Sequence, residues 1–461
     1  MTPGAPTLRV GNAQGFWGDS SLAPSQLASQ APDLDYLTLD YLAEVSMSIL
    51  ARQRQRDPSA GYARDFIEAV ESLAPVWRGG KRLRVVTNAG GLSPANCGRA
   101  CAEALRRLGC GGLKIAVVTG DDVLPMLRAA VAADPDTAAF RHLESGERLA
   151  AVADSLVTAN AYIGAAPIAE ALRAGADVVI TGRVADPSLT VGPCLAHFGW
   201  EVDDYNLIAG ATIAGHLIEC GAQVTGGVST DWLTLNDPAH IGYPIAEISA
   251  DGSCVITKPP GTGGRVDERI VKEQLLYEIG DPANYLSPDA TVSFLGLGVK
   301  PDGPDRARVL GAAGGPPPPS YKVSATYRAG YRAAGTLTVT GRDALAKARR
   351  CGEVVLQRLT DAGSKPQRFL AECLGAGDVL IGAAPAQERD LKEIVLRVAA
   401  ADSRREVVER FTRELSPLIT TGPQGTTGYA EGRPAVREVF GYWPTLVERE
   451  RVSTKWTMME T

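Results

Sequence analysis

Histidine is scarce in this 461-residue chain, four in all, and none stands in an HxxxH pair. None of the eight cysteines forms a CxxC pair either. These gaps exclude the common zinc-site spacings and a thioredoxin-like redox motif. No apolar stretch approaches the roughly 20 residues that cross a bilayer, so no membrane partner is expected. Basic runs are missing, and with a net charge of −6 the chain has no electrostatic footprint for nucleic acid. A secretory leader pattern is also lacking, which predicts a cytoplasmic protein with reduced thiols. The GxGxxG of dinucleotide folds is absent from GNAQGFWGD, the nearest candidate, because Gly11, Gly15 and Gly18 are four and three apart.

What the chain has in quantity is glycine, fifty residues, and proline, thirty, which mark many turns and shaped loops. Between them, VVTN (85–88), VVTG (117–120) and VITG (179–182) end three apolar runs in nearly the same way. Strand candidates at 7–10, 35–39, 83–87, 114–119 and within ADVVITGRVAD alternate with helical patterns. In ARDFIEAVESL, for example, Phe66, Ile67, Val70 and Leu73 share a face. The alternation predicts an α/β fold: a parallel sheet of βαβ units, doubly wound or barrel-like. In either form ligands bind beyond the carboxyl ends of the strands. Asn12, Asp19, Asp40, Asn88, Asp121, Asp122, Arg183 and Asp186 are therefore expected along one edge.

Composition divides the chain into an α/β domain over 1–299, a Pro/Gly-rich loop over 300–320 and a smaller C-terminal α+β domain over 321–461. Within the last, YKVSATYRA and AGTLTVTG alternate apolar and polar residues and predict an antiparallel hairpin. The helical ALAKARRCGEVVLQRL and the strand-like EIVLRVAA follow. A long glycine-rich loop, TGPQGTTGYAEGRP, is expected to close over a site.

Several side chains are candidates for chemistry. In GHLIECGAQVTGG, His216 and Glu219 share a helical face and can relay a proton or bind a metal; a structural histidine and a buried, satisfied glutamate are the plain alternatives. Cys220 is either a nucleophile or, more commonly for a free cysteine, a small core residue. Arg183 suits a substrate carboxylate or phosphate, and Asp186, ahead of Pro187, is a base, a metal ligand or a helix cap. Asp19, Asp40 and Glu44 are candidate acid–base carboxylates or ligands for a divalent cation such as Mg²⁺; Asp40 and Glu44 are expected on one helical face. Gly15 and Trp17 line the candidate site, and Asn88 is a candidate donor to an enolate oxygen. Gly263, Gly264 and Arg265 enter a helix where backbone N–H groups attract anions, unless Asp267 merely caps that helix. Thr426, Tyr429 and Arg433 are the polar groups of the closing loop.

The strings GNAQGFWGD, LDYLTLDYLAE, TNAGGLSP, ITGRVADPSLTVGPCLAHFGW, GHLIECGAQVTGG, PGTGGRVDERIVKEQLLYEIGDPANYLSPD and TTGPQGTTGYAEGRP make the chain resemble, over nearly its whole length, the acyclic terpene utilisation protein A (AtuA) family. That resemblance implies a role near the degradation of branched terpenoids, whose intermediates are acyl-CoA thioesters. The expected activity is thus lyase- or hydratase-like: proton abstraction from a carboxylated or CoA-linked acyl compound, then C–C cleavage or loss or gain of water. A Cys220-dependent hydrolase or acyl transferase and a non-catalytic binding or scaffold subunit are the alternatives. A homo-oligomer is expected from the frequency of such assemblies among enzymes of this size.

Overall fold

In the computed structural model, residues 7–380, 391–428 and 432–461 are described. They form a mixed α/β protein whose chain divides into two compact units: Met1–Thr326 with Tyr442–Thr461, and Tyr327–Gly441.

The first unit is built on an open ten-stranded sheet. Its order is Gly298–Pro301, Arg306–Leu310, Cys254–Thr257, Ile245–Ser249, Thr7–Asn12, Tyr36–Leu39, Arg84–Thr87, Val178–Ile180, Lys114–Thr119 and Lys455–Glu460. Five consecutive strands, from Thr7–Asn12 to Lys114–Thr119, are mutually parallel. Antiparallel strands extend the sheet on both sides. The parallel strands read as unbroken apolar runs because both faces are covered. Leu37, Leu39, Val85, Ile115, Val178 and Ile180 meet Phe66, Leu73, Cys97, Cys101 and Leu105 from the helices in one buried cluster. All eight cysteines are free thiols.

Topology makes the crevice. The chain steps outward through the strands ending at Asn12, Leu39 and Thr87, passes over to Lys114–Thr119, then returns to lay Val178–Ile180 in the gap. The connections leaving Thr87 and Ile180 therefore run in opposite directions. The polar loops at Asn88 and Arg183 therefore leave the carboxyl ends of two neighbouring strands, where the chain reverses its direction across the sheet.

Two sequence expectations fail here. The 300–320 stretch is not a plain loop: Arg306–Leu310 and Ala313–Gly315 are strands, since RARVL alternates Ala307 and Val309 into the core. The predicted hairpin is instead one strand, Ser320–Thr340, whose residues Tyr331–Thr340 pair with Glu393–Asp402. Gly330, at φ 109°, lets the backbone pass close to Asp402 within a strand that continues without reversal.

The second unit packs helix Ala344–Asp361 on one face of an antiparallel sheet that includes Arg368–Leu374 and Glu393–Asp402. Among the described residues, no helix is long and apolar enough to cross a membrane.

Candidate functional site

Helix Tyr205–Glu219 is buried nearly all round, with Ile208, Ile213, Leu217 and Ile218 in the core. Gly215 lets it press directly against Pro187, whose carbonyl would lie 2.7 Å from a Cβ there. That approach puts the Arg183–Asp186 loop beside the helix end carrying His216 and Glu219. Asn12, at the end of the first strand, fastens the same helix end by donating to the carbonyls of Ile218 and Glu219 at 2.5 and 2.8 Å. Gly15 packs on the Cys220 backbone, which leaves no room for a side chain.

Asp40 and Asn88 meet at this place. Asn88 is wholly buried, accepts from Tyr41 N at 2.7 Å and donates to Asp40 Oδ1 at 2.6 Å. Leu42 N donates to the same Oδ1 at 3.1 Å. Among the described residues no donor reaches Oδ2. Burial pushes the Asp40 carboxyl up to about 6, against the pull of Arg183 and the Asn88 hydrogen bond. A carboxylate with a free oxygen and a pKa close to neutrality is suited to proton transfer.

Arg183 is buried, its guanidinium 4.1 Å from the Tyr162 ring centroid. It donates to the Leu42 carbonyl and, at 2.8 Å, to Asp186 Oδ1, leaving Nε without a hydrogen-bond partner. Asp121, also buried, holds the Arg183 backbone N–H at 2.8 Å and Asn160 at 2.8 Å; burial pushes its carboxyl up to about 6. Asp186 does not cap the following helix with its side chain, because the ion pair with Arg183 takes it. Burial holds its carboxyl well above the ordinary range, with Arg183 opposing.

The protonation of the His216–Glu219 pair follows from its partners. His216 Nε2 lies 3.1 Å from the Gln274 carbonyl, an obligate acceptor, so Nε2 carries a proton. Burial pushes the imidazole down to about 4, so at neutral pH that is its only proton and Nδ1 is an acceptor. The 3.2 Å contact from Nδ1 to Glu219 Oε1 is then a hydrogen bond only if Glu219 supplies the proton. Burial, with Asp186 and Glu278 as neighbouring negative charges, indeed raises the Glu219 carboxyl well above its usual value. Burial of both groups thus favours a neutral acid on a neutral imidazole over an ion pair. Glu219 Oε2 is buried with no partner.

Other predicted positions have different fates. Asp19 spends both oxygens on hydrogen bonds within the fold: Oδ2 accepts from Gly15 N at 3.0 Å, Oδ1 from Tyr243 at 2.6 Å and Ser20 N at 2.7 Å. Trp17 packs on the core and donates to Asp65, as a wall residue of the fold. Glu44 is exposed and not on a helix with Asp40, because the next helix begins at Ser46; Tyr162 Oη lies 3.5 Å from it. Asp122 braces the next helix through Leu124 N. The backbone N–H groups of Gly263, Gly264 and Arg265 all donate to carbonyls, of His240, Asn236 and Thr225, so that loop presents no anion cradle. Arg265 is paired with Asp267, which also caps the helix starting at Glu268. Thr426 and Arg433 belong to the second unit, where Thr426 donates to Pro423 and Arg433 borders a cavity; Tyr429 lies outside the described residues.

Sequence reasoning missed Tyr162, Tyr285 and Glu278. Tyr285 stacks at a tilt 6.2 Å from His216, and Glu278, at φ 61°, adds negative charge beside His216, Glu219 and Asp186. No motif marks them. Burial and the neighbouring carboxylates, Glu219 foremost, push the Cys220 thiol up, so it stays protonated. Among the described residues no group of three or more His, Cys, Asp or Glu stands ready for a metal ion.

Residues 8–458 match the family described as acyclic terpene utilisation family protein AtuA. The chain belongs to that family. No curated protein and no solved structure matches it. The family's description ties this AtuA member to acyclic terpene utilisation, and the strand-end cluster lies within the matched residues.

Proposed function

We propose that this AtuA-family chain is an enzyme acting on a carboxylated or CoA-linked branched acyl compound by carboxylate-based proton transfer, with hydration, dehydration or C–C cleavage as the outcome. The observation that carries this reading is Asp40, whose two protein donors converge on Oδ1 while Oδ2 is free and its pKa is pushed up to about 6. In the dehydration direction, Asp40 Oδ2 takes a proton from the carbon next to the substrate carbonyl. The electron pair of that C–H bond moves onto the carbonyl oxygen as an enolate. Its return forms the carbon–carbon double bond and expels the β-hydroxyl, which takes the Glu219 proton and leaves as water.

Two carboxyl groups with opposed protonation states supply an acid and a base within one cluster. His216 Nδ1 accepts the acid's hydrogen bond in the resting state, and Glu219 O–H leaves that bond when the β-hydroxyl takes its proton. The carboxylates of Asp40, Glu44 and Asp186 around Arg183 favour a substrate whose own negative end stays outside the cluster, as in a CoA thioester, while the free Arg183 Nε is a donor for a neutral carbonyl. Covalent catalysis by Cys220 is the weaker reading, because its thiol is held protonated.

The test is deuterium uptake in D₂O, followed by NMR at the α-carbon of branched acyl-CoA thioesters. Wild-type protein should exchange that proton, Asp40→Asn should not, and Glu219→Gln should exchange it without completing water loss. Absence of exchange and turnover across saturated, unsaturated and 3-hydroxy branched thioesters would sink the reading. Ligand stabilisation is a second readout, since a thioester at a hundred times its Kd adds about 2.7 kcal/mol.

A further inference from the structure

The second unit carries a groove that the proposed chemistry does not use. Its sheet buries one face against helix Ala344–Asp361, while the opposite face leaves a cavity of about 730 Å³, a size typical of small-ligand sites. The register explains the shape. Arg332 and Arg368 pair with Ala401 from either side, and two residues along the same face Ala334 and Leu370 flank Ala399. Alanines on the central strand leave a trough between the flanking side chains, and the backbones of Arg332 and Arg368 stand roughly 10 Å apart, two strand spacings. Arginine forks reaching inward from that separation can grip one anion between them. Arg437 adds a third guanidinium, and Leu370 and Val439 supply apolar walls.

The charge pattern points to what fits. Among the described residues no carboxylate lies within ion-pair distance of Arg332, Arg368 or Arg437. The next position along the same face is different: Arg397 Nε donates to Glu372 at 2.7 Å. Arg328, Arg350, Arg404, Arg405 and Arg410 of the same unit are likewise paired with acids. Three guanidinium groups with no acid partner among the described residues line one groove of a chain of net charge −6, a local concentration of positive charge that an anion would neutralise.

We propose that this groove binds an amphipathic anion: a carboxylate or phosphate head between Arg332, Arg368 and Arg437, with a short apolar stem over Ala399 and Ala401. The inference is independent of the acid–base reading, whose residues lie in the other unit.

Isothermal titration of the full-length protein with octanoate, octyl phosphate and inorganic phosphate tests it. Saturable binding of octanoate or octyl phosphate is expected, and comparison of the two identifies the head group. Inorganic phosphate should bind at least about tenfold more weakly than the better of them, since the stem contributes apolar burial. Each of Arg332→Ala and Arg368→Ala should weaken binding about tenfold. Ala399→Leu should fill the trough and remove the advantage of the stem. These positions face solvent, and an unchanged circular dichroism spectrum checks that the variants fold. No saturable amphiphile binding, equal affinity for inorganic phosphate, or indifference to both arginine substitutions would each overturn the proposal. So would dissociation of an oligomer in the arginine variants without ligand binding, which would assign the face to a second copy of the chain.

Discussion

Replacing Asp40 by Asn should make the protein more stable at pH 8 while abolishing its chemistry. In the folded state the carboxyl is pushed from 3.8 up to about 6. A group whose folded pKa is raised is penalised when ionised: the penalty is absent below the unfolded value near 4, grows between pH 4 and 6, and is complete above that. A shift of about 2 units corresponds to about 3 kcal/mol at pH 8. Asparagine removes the charge and keeps the hydrogen bonds, because both donors, Asn88 Nδ2 and Leu42 N, converge on a single oxygen that the amide also provides. Urea unfolding of wild type and Asp40→Asn at pH 4 and pH 8 measures the effect. The variant should gain most of those about 3 kcal/mol at pH 8 and little at pH 4. An equal difference at the two pH values, or a less stable variant at pH 8, would refute the claim that a buried, reluctantly ionised carboxylate sits here. The prediction also carries a functional meaning, since stability withheld at a reactive group is the usual cost of activity.

Three further outcomes follow from the same geometry. Asn12→Ala leaves the Glu219 carbonyl without its donor, and the Ile218 carbonyl with only Cys220 N–H, and should cost about 1–3 kcal/mol in denaturant unfolding, with loss of activity. Gly15→Ala places a Cβ 2.6 Å from the Cys220 carbonyl carbon and should displace the end of helix Tyr205–Glu219, read as a lowered melting temperature and disturbed His216 NMR signals. Glu219→Gln should remove a protonated-carboxyl infrared band present in wild type at pH 8; persistence of every such band in the variant would contradict the neutral His216–Glu219 pair.

The legible part of the fold was the part governed by local pattern. Runs such as LRVVT and KIAVVT announce strands buried on both faces, and their polar sequels announce the edge where Asp40, Asn88, Asp121 and Arg183 are delivered. The antiparallel flanks were not legible in that way, because pairing of Thr7–Asn12 with Ile245–Ser249 is decided by packing between segments far apart in sequence. Within the site, His216 and Glu219 were found through helical spacing, whereas Glu278 and Tyr285 were not, since they approach through a turn and a two-residue strand without any spacing rule. The TGG stretch misled: its glycines permit close backbone packing, and its N–H groups are spent on carbonyls. Asp186 before Pro187 looked like a cap until the arginine three residues earlier claimed it.

The strand Lys455–Glu460 has a bearing on how this protein is made. It covers the flank of Lys114–Thr119, and Thr119 and Lys455 are 336 residues apart in the chain. At about 5–20 residues per second of synthesis, the earlier strand waits some tens of seconds for its neighbour. During that time one side of Lys114–Thr119 offers unpaired backbone groups to any other nascent chain, the hazard that edge strands carry. The second unit, Tyr327–Gly441, is synthesised wholly inside this interval. This sheet therefore waits for a clasp to close over its older edge, and a bulky insertion beside Lys455–Glu460 would burden that step.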